Sequence, residues 1–96
     1  MQIKWPGRAL NNLEEEILYI ANDNPPMAQI VLQPIYNSVS LLLENPALGQ
    51  PGRVHGTREL MVPNTRYLIP YRVKPQQQQI HILRVFHTSR ELPKHW

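Results

Sequence analysis

Within residues 56–73, GTRELMVPNTRYLIPYRV, the side chains able to do chemistry are Arg58, Arg66 and Arg72, the tyrosines Tyr67 and Tyr71, and one acid, Glu59. Guanidinium groups suit anions, because their planar fork of donors matches a carboxylate or a phosphate. The charge pattern of the chain points the same way. Residues 51–96 hold eight Lys and Arg against two acids, a net +6, while residues 1–50 hold two against five, a net −3. All four histidines also lie in the basic half. Such a split implies either an acidic partner, meaning nucleic acid or an acidic protein segment, or a basic face turned to solvent.

Other chemistries are excluded or weakly supported. The chain has no cysteine, which removes disulfides, thiolate catalysis and cysteine-ligated zinc, and suits a reducing compartment such as the cytoplasm. His81 and His87 fall on one strand face but lie six residues apart, about 20 Å at roughly 3.3 Å per residue. They are too far apart to share an ion, and no metal or cofactor is expected. The loop from Asn45 to Gly56 is rich in glycine and proline, yet it lacks the preceding strand and the lysine of a phosphate-binding loop, so its glycines are read as turn residues. No apolar run is long enough to cross a membrane, and no export signal is evident. Ninety-six residues are expected to form one domain, 1–96, with one modest core.

Two helices and then strands must position these groups. Ile3 and Trp5 alternate with polar neighbours as a short first strand ended by Pro6-Gly7. From Arg8 to Asp23, Leu10, Leu13, Ile17 and Ile20 form an apolar stripe of helical spacing, and Asn24-Pro25-Pro26 ends it. Met27, Ile30, Val31, Ile35, Val39, Leu42 and Leu43 repeat that spacing as far as Glu44, with Pro26 suited to the first turn. The two helices are expected to pack as a hairpin. Pro34 is expected to kink the second or divide it in two.

Three runs of β-formers follow, Thr57–Val62, Tyr67–Val73 and Ile80–His87, turned by Pro63-Asn64 and by Pro75 with the glutamines, giving an antiparallel meander. Pro70 cannot donate to a ladder, so a bulge or a free edge is expected there. Alternation places Leu60 with Val62, Ile69 with Tyr67, Tyr71 and Val73, and Arg84 among Ile80, Ile82 and Phe86. An arginine on that apolar face needs a partner, and Glu59 or Glu91 is expected to supply it.

The ordered set ALNNLEEEI (9–17), NPALGQPGRVHGTREL (45–60), RYLIPYRV (66–73) and ILRVFHTSRE (82–91) resembles the RelE/ParE superfamily of bacterial type II toxins over nearly the whole chain. The resemblance implies an α+β fold, with an N-terminal short strand and a helix hairpin packed on a twisted antiparallel β-sheet. It implies a toxin of the plasmid-stabilisation type, a cognate antitoxin that neutralises it, and operator DNA contacted only through that antitoxin. Two branches differ in target. Ribonuclease members cleave messenger RNA on the ribosome, whereas ParE members resemble poisons of DNA gyrase that need no catalytic residue.

The resemblance is nearer the ParE branch. Ribonuclease members commonly carry YRLVY in the middle strand, and here Leu68 stands where the phosphate-binding arginine would be. Arg58-Glu59 replaces their lysine-rich strand. If the chain were a ribonuclease, Glu59 or His87 would be the acid or base, with Arg58, Arg84 or Arg90 stabilising phosphate charge. His87 is otherwise read as a packing or capping residue at a strand end. The groups expected to meet a partner are Arg58, Arg66, Tyr67, Tyr71, Arg72, Arg84 and Arg90, with Leu13, Ile17 and Ile20 as apolar anchors on the hairpin. A third reading, a relic that binds antitoxin without toxicity, also stays open.

Overall fold

Asn24 is the hinge of the helical half. It ends helix α1 (Gly7–Asp23), its N–H donating to the Ile20 carbonyl at 2.8 Å, and begins helix α2 (Pro25–Leu41), its side chain accepting from the Met27 N–H at 3.3 Å. Pro25 and Pro26 fill first-turn positions, where a missing N–H costs nothing. The structure, a computed structural model, describes residues 1–89 and 93–96. Its helix hairpin packs on a sheet built from β1 (Gln2–Lys4), β2 (Gln50–Pro51), β3 (Arg58–Met61), β4 (Tyr67–Lys74), β5 (Gln79–Ile82) and β6 (Phe86–His87). The architecture is α+β, as expected.

The inward stripes are largely the expected ones, with Leu10, Met27, Ile30 and Leu43 turned out instead of in. Ala9, Leu13 and Glu16 are buried on α1, with Ile17 and Ile20 half-buried beside them, while Leu10 is exposed. On α2 the buried set is Ala28, Ile35, Ser38 and Val39, and Met27 and Ile30 face outward. Pro34 does not divide α2, which continues to Leu41. The carbonyl freed by proline belongs to Ile30, a residue 62% exposed, where water is available to it.

The sheet order is β1-β5-β4-β3-β2, with β6 also on β4. β3, β4 and β5 form the expected antiparallel meander. β1 adds to β5 in parallel, Ile3 opposite Ile80, so the sheet is mixed. Asn64 and Gln78 take left-handed backbone angles in the two connecting turns, at φ 62° and 54°.

Pro70 explains the largest departure. The run expected as one strand, Ile80–His87, is broken between Ile82 and Phe86. Tyr71 is opposite Ile82 and Leu68 opposite Phe86, so Ile69 and Pro70 on β4 face three residues, Leu83 to Val85. That extra residue is a bulge. The Leu83 N–H donates to the Pro70 carbonyl at 2.9 Å, and proline has no N–H to return the bond. The bulge also reverses the alternation, so Val85 joins Ile80 and Ile82 in the core and Arg84 leaves it.

Tyr71 sits at the centre of that core, fully buried, with its ring among apolar neighbours and its hydroxyl at the edge. The hydroxyl donates to the Pro46 carbonyl at 2.7 Å and accepts from the Gly49 N–H at 2.9 Å. Gly49 must be glycine, because a Cβ there would stand 2.7 Å from the Glu59 carbonyl oxygen and from the Tyr71 ring. Tyr71→Phe removes the hydroxyl and leaves two backbone groups without it, a cost of about 1–3 kcal/mol. Thermal unfolding should therefore begin several degrees lower, at roughly 4–8 °C per kcal/mol for a chain of this size. An unchanged melting temperature would show that the loop is held by its other contacts.

Candidate functional site

β3 carries the two residues whose presence in a strand called for explanation, and both grip the preceding loop. Arg58 donates from Nε to the Gly49 carbonyl at 2.8 Å and from Nη2 to the Ala47 carbonyl at 3.1 Å. Glu59 accepts a fork from Arg53, Nε to Oε2 at 3.0 Å and Nη2 to Oε1 at 3.1 Å, and also the Arg53 backbone N–H at 2.7 Å. The hydrogen-bonded Arg53 guanidinium holds the Glu59 carboxyl below the usual carboxylate range, against the opposing effect of burial. Glu59 therefore accepts three hydrogen bonds and is held less basic than an ordinary carboxylate, which makes it a weak general base. The grip also pairs β2 with β3, Gln50 opposite Glu59, where sequence spacing gives only a loop.

Arg84 does not meet Glu59. The bulge turns it toward α1, where its Nε donates to the Asn12 side-chain oxygen, and its guanidinium lies 4.6 Å over the Phe86 ring. Burial pushes its pKa below the ordinary guanidinium value, Arg8 adds to this by like charge, and Glu15 opposes both. The other expected partner, Glu91, and the site candidate Arg90 lie outside the described residues.

His87 closes β6 opposite Tyr67, with the two rings edge to face at 5.2 Å. Its Nδ1 accepts the Ser89 N–H at 3.2 Å and lies 2.6 Å from the Ser89 hydroxyl. A backbone N–H can only donate, so in this arrangement neutral His87 carries its proton on Nε2, with Nδ1 engaged by Ser89.

Of the expected partner residues, Leu13, Tyr67 and Tyr71 are core, exposed by 4%, 4% and 0%, and cannot anchor a partner. The hydrophobic period predicts burial and not which buried residue stays accessible. Arg66 is exposed, and with Tyr19, Ile20, Met27, Tyr67 and His87 it borders a cleft of about 440 Å³ between the helix hairpin turn and the β3–β4 turn. A second groove, about 530 Å³, is lined by Leu41, Leu48, Met61, Leu68 and the saturated Glu59. Leu41, Leu48 and Met61 are all near half exposed. Arg72 lies apart from both, among basic side chains. Sequence reasoning missed Arg53. Its signal was an isolated acid six residues downstream across a glycine-containing loop that returns on itself. Among the described residues no group of three metal-ligating side chains is close enough to hold an ion.

Comparison with known proteins gives a consistent set of relatives. The family model for the ParE toxin of type II toxin-antitoxin systems, parDE, matches residues 3–92. A curated candidate toxin, Y4kP of Sinorhizobium fredii, is 40% identical over 93 residues, covering 97% of this chain and 94% of that protein. Among solved structures, the chromosomal ParDE system from P. aeruginosa contains a chain that superposes with a TM-score of 0.79 at 29% identity, covering 91% of this chain and 95% of that one. The toxin-antitoxin complex RelBE2 from Mycobacterium tuberculosis shares the fold, with a TM-score of 0.60 at 23% identity over 90% of this chain and 95% of that one.

The link from Arg84 to Asn12 ties the bulge to α1. Asn12→Ala should cost about 1–3 kcal/mol in chemical denaturation, since it leaves a part-buried guanidinium without its acceptor. Asn12→Asp, which supplies a charged acceptor in the same place, should recover most of that loss. Equal destabilisation by both substitutions would show that the contact is incidental.

Proposed function

The chain belongs to the ParE toxin family of type II toxin-antitoxin systems, and on that premise we propose that it arrests growth by binding DNA gyrase and that a cognate antitoxin neutralises it. The observation that carries the reading is the groove holding Glu59 and Leu68. A ribonuclease of this superfamily would need a cation at position 68 and an available acid or base beside it. Here position 68 is an apolar side chain, 5% exposed, and Glu59 is saturated by Arg53. His87, the other acid-base candidate, borders the separate cleft of Arg66 and has its Nδ1 occupied. Phosphoryl transfer depends on positive charge at the phosphate, and Arg53, the cation among the described residues lining this groove, is already paired with Glu59. The groove instead presents Leu41, Leu48 and Met61 to a partner, as binding surfaces do.

The antitoxin is the partner expected to cover apolar surface and carry acids. Arg66 at the mouth of the cleft, with Tyr19 and Met27 exposed beside it, suits a segment that is disordered alone and folds against the toxin. Its affinity should fall as salt rises from about 50 to about 500 mM, measured by calorimetry. Affinity independent of salt would remove the electrostatic part of this partnership.

Inducing the chain without its antitoxin separates the targets. We expect loss of plasmid supercoiling with messenger RNA intact, and His87→Ala as toxic as the parent chain. Cleavage of messenger RNA on translating ribosomes, lost in a folded His87→Ala variant, would establish a ribonuclease instead. No arrest and neither effect would mark an antitoxin-binding relic.

A further inference from the structure

A cavity of about 470 Å³ is lined by Arg8, Arg72, Lys74, His81, His95 and Trp96, and among the described residues no carboxylate side chain lines it. Arg72 stands opposite His81 in register, and His81 opposite Lys4, so basic side chains run in a row across three strands, β4, β5 and β1. The permanent cations Arg72 and Lys74, two apart on β4, share one face of the strand, and like charges at such neighbouring positions are unfavourable unless something neutralises them. Elsewhere the fold does provide neutralisation, as Glu59 does for Arg53. Arg8, Arg72 and Lys74 have no such partner among the described residues.

A second observation concerns Arg72 and Trp96, two of the residues that line this cavity. The Arg72 Nε and the Trp96 Nε1 are both buried and have no acceptor among the described residues. Buried donors normally find acceptors, because leaving them unmade is costly. The Trp96 indole is also fixed, with the Arg53 guanidinium 4.9 Å over its ring and Phe86 at 5.3 Å. Its N–H is therefore a preset donor and not a wandering one.

We propose that this cavity is a binding site for a phosphate group, held by Arg8, Arg72 and Lys74 and hydrogen-bonded by the Arg72 Nε and the Trp96 Nε1. Three permanent cations exceed what one carboxylate needs and match a phosphate, whose several oxygens accept from several donors at once. His81, already bonded through Nε2 to Gln79 at 2.8 Å, shapes the floor. The site is separate from the groove of Glu59 and Leu68, so it stands whether or not gyrase is the target.

The test uses the 96-residue chain and calorimetry with four probes: inorganic pyrophosphate, adenosine monophosphate, a short DNA duplex and an oligoglutamate peptide. We expect pyrophosphate to bind and Arg72→Gln to weaken it by about tenfold or more. Arg72→Lys keeps the charge without the Nε donor and should lose less. Trp96→Phe keeps a ring without the N–H and should also weaken binding. Arg66→Gln, which removes the same charge at another cleft, should change binding by less than about twofold. Should Arg72→Gln fail to fold, Arg8→Gln on the exposed start of α1 carries the same test. Displacement of pyrophosphate by the duplex identifies a nucleic-acid backbone as the source of the phosphate, and binding of the small probes alone identifies a free nucleotide or pyrophosphate. The proposal fails if no phosphate probe binds, if Arg66→Gln and Arg72→Gln weaken binding equally, or if oligoglutamate binds more tightly than pyrophosphate.

Discussion

The rest of the structure depends on how the 45–56 loop is held against the sheet. Three side chains hold it at three depths. The Tyr71 hydroxyl reaches from the core to Pro46 and Gly49, Arg58 takes the Ala47 and Gly49 carbonyls from the strand, and Glu59 takes Arg53 from the far side. A loop of this length with two prolines and three glycines would otherwise be loose. Held this way, it becomes a fifth strand in the sheet path and forms one wall of the apolar groove. The residues that look most chemical in the sequence are therefore occupied in building the surface.

Pro70 imposes the second constraint. By withholding one N–H it forces a bulge opposite, and the bulge decides which residues of the last strand face the core. Val85 enters the core, and Arg84 leaves for Asn12 and Phe86. One imino acid thus removes a candidate catalytic cation from the groove it was expected to serve.

The helix hairpin, the three-strand meander and the trouble at Pro70 were legible because each rests on a local rule: helical period, turn residues, and a missing donor. What stayed hidden was set by tertiary contact. Alternation along Ile80–His87 assumes an unbroken ladder, so it placed Arg84 on the wrong side. A period of 3.6 finds Leu13 but cannot tell a core residue from an anchor for a partner. Tyr71 and Arg58 have partners 22 and 9 residues away in a loop without periodicity, and no local signal links them. The parallel pairing of β1 with β5 joins segments nearly eighty residues apart and is equally silent in sequence.

The central claim is that the groove of Glu59 and Leu68 is a binding surface whose carboxylate is fixed in the charged state. The most direct test is to follow the Glu59 side-chain carboxyl by NMR across a pH titration, in the parent chain and in Arg53→Gln. The account predicts a midpoint below the ordinary glutamate value, rising when Arg53 is replaced. A midpoint raised toward neutrality in the parent chain, as a general base requires, would contradict it.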